Sequence, residues 1–211
     1  LDNWRTLNHM ARRLQRHRGR AIPVSETLAE LDRDIAAFMT LAGFALDGMT
    51  RDQGWRFLSI GRRIERLQFI CGLLQQALAG PADADLGWVL ELADSSVTYR
   101  SRYMARPEWL PVLDLLVRDV HNPRSVYFQL KGLSDFVGRI ADAYGEGVEE
   151  RLDAAVMSLE AIDPGADLRH GSPRLGALLQ EWHDASFRLS EQLGLRFFSH
   201  VGEANRQTFA M

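Results

Sequence analysis

The stretch Thr50-Arg51-Asp52-Gln53-Gly54-Trp55-Arg56-Phe57-Leu58-Ser59-Ile60-Gly61-Arg62-Arg63-Ile64-Glu65-Arg66-Leu67-Gln68-Phe69-Ile70-Cys71-Gly72-Leu73-Leu74 decides the fold class. Phe57, Ile60, Ile64, Leu67, Cys71, Leu74 and Leu78 recur at spacings of three and four, one face of a helix. Trp55, Leu58, Phe69 and Leu73 mark a second face. Two wide apolar faces describe a central helix with neighbours on several sides. Thr50 with Gln53 three residues later reads as a capping box, and Gly80-Pro81 as the stop. The second face is interrupted by Arg62, Glu65 and Arg66. Buried arginine and glutamate are rare unless paired. Arg62 and Glu65, three apart, can pair along the helix, and an ion-pair network binding helices together is the plain reading. The sharper reading is a polar pocket in which arginine forks hold a carboxylate or phosphate.

Outward from this helix the same period continues and no period-two strand intervenes, which predicts an all-α fold, a single helical bundle of about six to eight helices over 1–211. The spacing predicts helices over 1–17 (Trp4, Leu7, Ala11 and Leu14 on one face) and from Pro23 to about Asp47. The second carries a long stripe of Leu28, Leu31, Ile35, Phe38, Leu41 and Ala45. Further helices are expected over 85–104 and 109–118, and over 122–143 with Asn122-Pro123 as cap and first turn. The last two run from the Gly145-Glu146-Gly147 turn to Ile162, and from Ser172-Pro173 to at least Phe198 with a tail towards Met211. Residues 163–171 read as a polar loop.

The chain has 211 residues, 46% hydrophobic and 25% charged, enough to bury a core without staples. Its net charge of -3 argues against a dedicated nucleic-acid binder. One cysteine, Cys71 on an apolar stripe, excludes an intrachain disulfide and a multi-cysteine zinc site. The six histidines have no metal-ligand spacing, so no metal site is expected. No apolar run is long enough to span a membrane, and a cytoplasmic setting is expected. Lys131 is the single lysine among 25 basic residues. Arginine is the better fork for planar anions, so its positions at 62, 66, 100 and 124 carry more information than its abundance.

Two further polar blocks matter. Asp94-Ser95-Ser96-Val97-Thr98-Tyr99-Arg100-Ser101-Arg102-Tyr103 places poor helix formers in mid-helix. It reads either as a polar helix contact with satisfied tyrosine hydroxyls, or as Tyr99, Arg100 and Tyr103 completing the pocket of Arg62 and Glu65. Asn122-Pro123-Arg124-Ser125-Val126 is a good cap, and with Arg124 and Ser125 at a helix start it is also a reasonable anion site.

Together, Met49-Thr50-Arg51-Asp52-Gln53-Gly54-Trp55, Gly61-Arg62-Arg63-Ile64-Glu65-Arg66, Asp94-Ser95-Ser96 with Tyr99-Arg100, and Asn122-Pro123-Arg124-Ser125 resemble the alpha-E family, all-helical bacterial domains named for a Glu-Arg motif. The likeness covers nearly the whole chain, and Trp4 with Leu7-Asn8 matches a segment before a long loop. That family carries an earlier helix pair with another Glu-Arg motif, so this chain is expected to be the later part of the domain, excised from a longer protein. Such domains stand beside, or are fused to, ATP-grasp ligases, with transglutaminase-like proteins nearby.

The resemblance implies a role in peptide- or amide-forming chemistry as a partner or substrate-positioning domain. It implies no cofactor here, ATP and magnesium being needed only by the partner ligase. The expected ligand-binding set is Arg62, Arg63, Glu65, Arg66, Asp94, Tyr99, Arg100, Tyr103, Asn122, Arg124 and Ser125. Two alternatives stand beside it: an enzyme in its own right with Glu65 as general base, and a scaffold whose ion pairs hold the bundle.

Overall fold

The structure, a computed structural model, describes residues 2–145 and 152–198. Among the described residues there are helices and turns and no strand, so the fold is all-α. The chain divides into two compact units, Leu1–Trp55 and Arg56–Met211.

In the first unit, α1 (Asp2–His17) and α2 (Val24–Gly43) form a hairpin, and α2 runs into a single π-helical turn, Phe44–Gly48. Arg13 of α1 reaches Glu30 at 3.3 Å and also pairs with Asp34, tying the two helices together. Met10 and Ala45 are buried here. The stripe expected on α2 behaves differently: Leu28, Leu31, Ile35 and Phe38 stay exposed, as do Trp4, Leu7 and Leu14 of α1. Two helices alone supply no further layer to cover faces of this width.

The second unit is built on α3 (Gln53–Ala79), whose first residues lie before the division. Its start differs from expectation. Asp52 Oδ1, not the Thr50 side chain, accepts from the Trp55 N–H at 3.1 Å, the usual job of an N-cap carboxylate. Ile60, Ile64, Leu67, Cys71 and Leu74 are buried as the period required. They share one core with Leu130, Leu133 and Ile140 of α7 (Val126–Tyr144) and with Leu175, Leu179, Trp182 and Leu189 of α10 (Pro173–Leu193). Trp182 donates its indole N–H to Ser158 Oγ at 3.1 Å on α8 (Asp153–Glu160), so this fully buried ring leaves no polar atom orphaned. Ser172-Pro173 opens α10 as expected, Ser172 Oγ accepting from Leu175 N.

Three expectations are corrected. The single helix over 85–104 is two, α4 (Gly87–Leu92) and α5 (Ser96–Tyr103). The break is a Schellman turn: Ser95 N donates to Leu90 O at 2.8 Å and Asp94 N to Glu91 O at 3.0 Å, with Asp94 left-handed at φ +47°. The helix expected from Asn122 begins at Val126 with Ser125 as its cap, Ser125 Oγ accepting from Phe128 N at 3.0 Å. The loop over 163–171 contains the short α9 (Pro164–Asp167), capped by Asp163. Between these, α6 (Trp109–Leu113) continues into a π-helical turn, Asp114–Arg118, which buries Leu115, Leu116 and Val117. Of the expected Gly145-Glu146-Gly147 turn only Gly145, at φ +77°, is described. The tail beyond Phe198 lies outside the described residues.

Candidate functional site

The polar blocks at 94–103 and 122–126 are joined by hydrogen bonds in the second unit, and Glu65 and Arg66 of the third block line a cavity beside them. Asn122 is buried; its Nδ2 donates to Leu115 O at 3.1 Å and to Ser95 Oγ at 3.4 Å, while its Oδ1 accepts from Arg124 N at 3.0 Å. Ser95 Oγ donates in turn to Ala93 O at 3.0 Å. Ser125 Oγ donates to Asp119 O at 2.5 Å while capping α7. These satisfied, buried groups lock the α4–α5 break against the entry to α7. Asn122 and Ser125 therefore build this corner of the fold. On its outside, Arg124 Nη2 donates to Asp94 Oδ2 at 2.5 Å.

Beneath that corner lies a cavity of about 170 Å3. From α3 it takes Glu65, Arg66, Phe69 and Ile70; from the end of α4, Leu92 and Ala93; from the segment before α7, Pro123 and Arg124. Ile70 and Ala93 are buried parts of its lining, Phe69 and Leu92 exposed ones, and Glu65, Arg66 and Arg124 supply its charges. Arg66 is half-buried, and its pKa is lowered, first by burial and then by the charges of Arg62, Arg124 and Arg63. Arg62, Glu65 and Arg66 make no hydrogen bond or ion pair with a described residue, so the Arg62–Glu65 pair that their spacing permits is not formed. A guanidinium with no described partner keeps donors that a planar anion would match.

The remaining expected residues go elsewhere. Arg63 leaves the cavity side: Nη1 donates to Phe128 O at 3.0 Å and Gln129 Oε1 at 3.3 Å, and its guanidinium stacks on Phe128 and Phe136. Tyr99 is buried, donating its hydroxyl to Arg106 O at 3.2 Å and accepting from Glu108 N at 3.3 Å. Tyr103 stacks on Tyr99 at 4.8 Å between ring centres, and its pKa is raised, by burial first and by Asp114 next. Exposed Arg100 lines a different and wider hollow, with Tyr99, Trp88 and Glu91. So Tyr99 and Arg100 do not line the cavity of Glu65 and Arg66.

Sequence reasoning missed the cavity's apolar wall. Phe69 and Leu92 are 54% and 56% exposed. Periodicity alone gives a core wall and a pocket wall the same pattern. Among the described residues no three His, Cys, Asp or Glu side chains gather as metal ligands, and no helix is long and apolar enough to cross a membrane. Cys71 is buried, which pushes its thiol pKa well up and leaves it an unreactive core residue.

Comparison with known proteins agrees with this architecture. Uncharacterized proteins of Mycobacterium tuberculosis and Mycobacterium bovis are 31% identical to the chain over 164 residues, covering 72% of it. The chain spans only 18% of the length of those relatives. No solved structure matches. Residues 1–198 match the Alpha-E family, described as a predicted alpha-helical domain with a conserved ER motif. The chain belongs to the Alpha-E family.

Proposed function

We propose that this chain is a helical substrate-positioning domain, acting in the cytoplasm with an ATP-grasp-type carboxylate–amine ligase, and that Arg66 and Arg124, beside Glu65 at its cavity, hold an anionic group of the ligase's substrate. The observation that carries this reading is the state of Arg66: half-buried, beside a cavity, among other arginines, and bonded to no described residue. A scaffold held by ion pairs would have spent this guanidinium on a partner, as it spends Arg63 on α7. The ligase supplies ATP chemistry, with a carboxylate activated and then attacked by an amine. The domain supplies orientation, which lowers the entropic cost of bringing the two together.

The test is ATP-dependent ligation by the complete system, read as phosphate release, with wild type and with Arg66→Met, alongside the melting temperature of each. Lost turnover at an unchanged melting temperature is the expected result. Unchanged turnover overturns the reading.

A further inference from the structure

We infer that the occupant of this cavity is a free α-amino acid with an apolar side chain. The inference rests on the anion-holding reading above and names the class of ligand.

Three features, each separate from the others, fit three parts of such a molecule. Arg66, unbonded among arginines, supplies the fork for a carboxylate. Glu65, the adjoining residue, lines the same cavity, is exposed and has no described partner, so it is free to accept from an ammonium. Phe69, Ile70 and Leu92 form an apolar wall with no polar group of their own to satisfy. The size agrees: a closed apolar cavity of about 150 Å3 takes a benzene-sized group, and this one, open to solvent beside Phe69 and Leu92, is about 170 Å3. Phosphate would meet the arginines, but it would leave the wall empty and bring further negative charge against Glu65. A carboxylate with an apolar tail but no amine would leave Glu65 unused.

The experiment is titration of this chain by calorimetry with L-leucine, N-acetyl-L-leucine, L-leucinamide, acetate and inorganic phosphate. Leucine is expected to bind more tightly than acetate by on the order of tenfold or more, the return for burying its side chain. N-acetyl-L-leucine, lacking the ammonium, and leucinamide, lacking the carboxylate, are each expected to bind several-fold more weakly than leucine. Glu65→Gln should weaken leucine to the level of N-acetyl-L-leucine and leave the latter unchanged. Arg66→Met should weaken leucine and leave leucinamide unchanged. Phe69→Ala, at an exposed position whose loss does not threaten the fold, should weaken leucine and leave acetate unchanged. Leucine binding no tighter than acetate or phosphate overturns the amino-acid assignment and leaves the anion site standing. Binding of none of the five overturns both.

Discussion

Arg63 occupies the space that a side chain on Gly132 would need: a Cβ built on Gly132 would overlap the Arg63 guanidinium carbon and lie 2.7 Å from Nη2. The glycine is thus the seat of the arginine that fastens α3 to α7. Gly132→Ala sets two effects against each other. Alanine is favoured over glycine inside a helix by about 1 kcal/mol. Displacing Arg63 loses a charge-assisted bond to Phe128 O, worth about 1.5–3 kcal/mol, and two ring contacts of about 0.5 kcal/mol each. The variant should be less stable by about 1.5–3 kcal/mol. In an Arg63→Ala background the same substitution should stabilise by about 1 kcal/mol. Urea denaturation across the double-mutant cycle reads this reversal of sign.

Asp94 is held left-handed at φ +47°, where a residue with a Cβ is strained by about 1–2 kcal/mol and glycine is not. Its exposed ion pair with Arg124 returns at most about 1 kcal/mol. Asp94→Gly should therefore be at least as stable as wild type, and Asp94→Ala less stable than Asp94→Gly by about 1 kcal/mol. The glycine variant also frees Arg124 from its internal carboxylate, so acetate should bind it more tightly than wild type. Chemical denaturation and calorimetry on the two variants check both halves.

How far the sequence is legible depends on whether a residue's partner is near in the chain. Ser172 caps α10 through the N–H of Leu175, three residues on, and the Ser-Pro pair announces it. Asn122-Pro123 makes a similar announcement, yet Asn122 Nδ2 goes to Leu115 and Ser95, its Oδ1 accepts from Arg124 N ahead of the helix, and the capping falls to Ser125. Long-range partners outbid a local preference here, and only one of them is close in sequence. The break at Asp94 left a trace as a run of poor helix formers, but composition does not say which residue turns left-handed. Arg62, Arg63 and Arg66 are chemically identical and stand within two turns of one helix. Which of them fastens α7 and which faces the cavity depends on the helix's rotation and on a glycine some 70 residues away.

Asp119 predicts a pH dependence. Burial opposes its charge, but the His121 N–H, the Arg102 guanidinium and the Asn122 N–H together hold its pKa below the ordinary carboxylate range. A carboxyl whose pKa is lower in the folded state stabilises the fold above the unfolded pKa of about 3.9. That contribution is lost as the pH falls through the folded value. Asp119→Asn should thus be less stable than wild type at pH 7, by about 2 kcal/mol for weakened bonds to a charged acceptor. The deficit should hold down to about pH 5 and shrink below about pH 4. Urea midpoints for the two proteins at successive pH values measure the gap. A deficit constant into strong acid would assign Asp119 a role independent of its charge.

Arg66 should be a residue the fold does not need. Its charged form is disfavoured by burial and by Arg62, Arg124 and Arg63 around it, and no bond to a described residue compensates. Methionine keeps an unbranched apolar stem for packing while removing the charge. Arg66→Met should therefore melt at the same temperature as wild type or higher, unlike the loss of Arg63. If repulsion among the arginines is the cause, salt should help wild type more than the variant. Raising ionic strength from about 0.01 M to about 1 M shortens the screening length from about 30 Å to about 3 Å. The two melting temperatures should accordingly approach each other over that range. A variant that melts well below wild type at both salt concentrations would make Arg66 a structural residue, and the proposed ligand would lose the cation assigned to it.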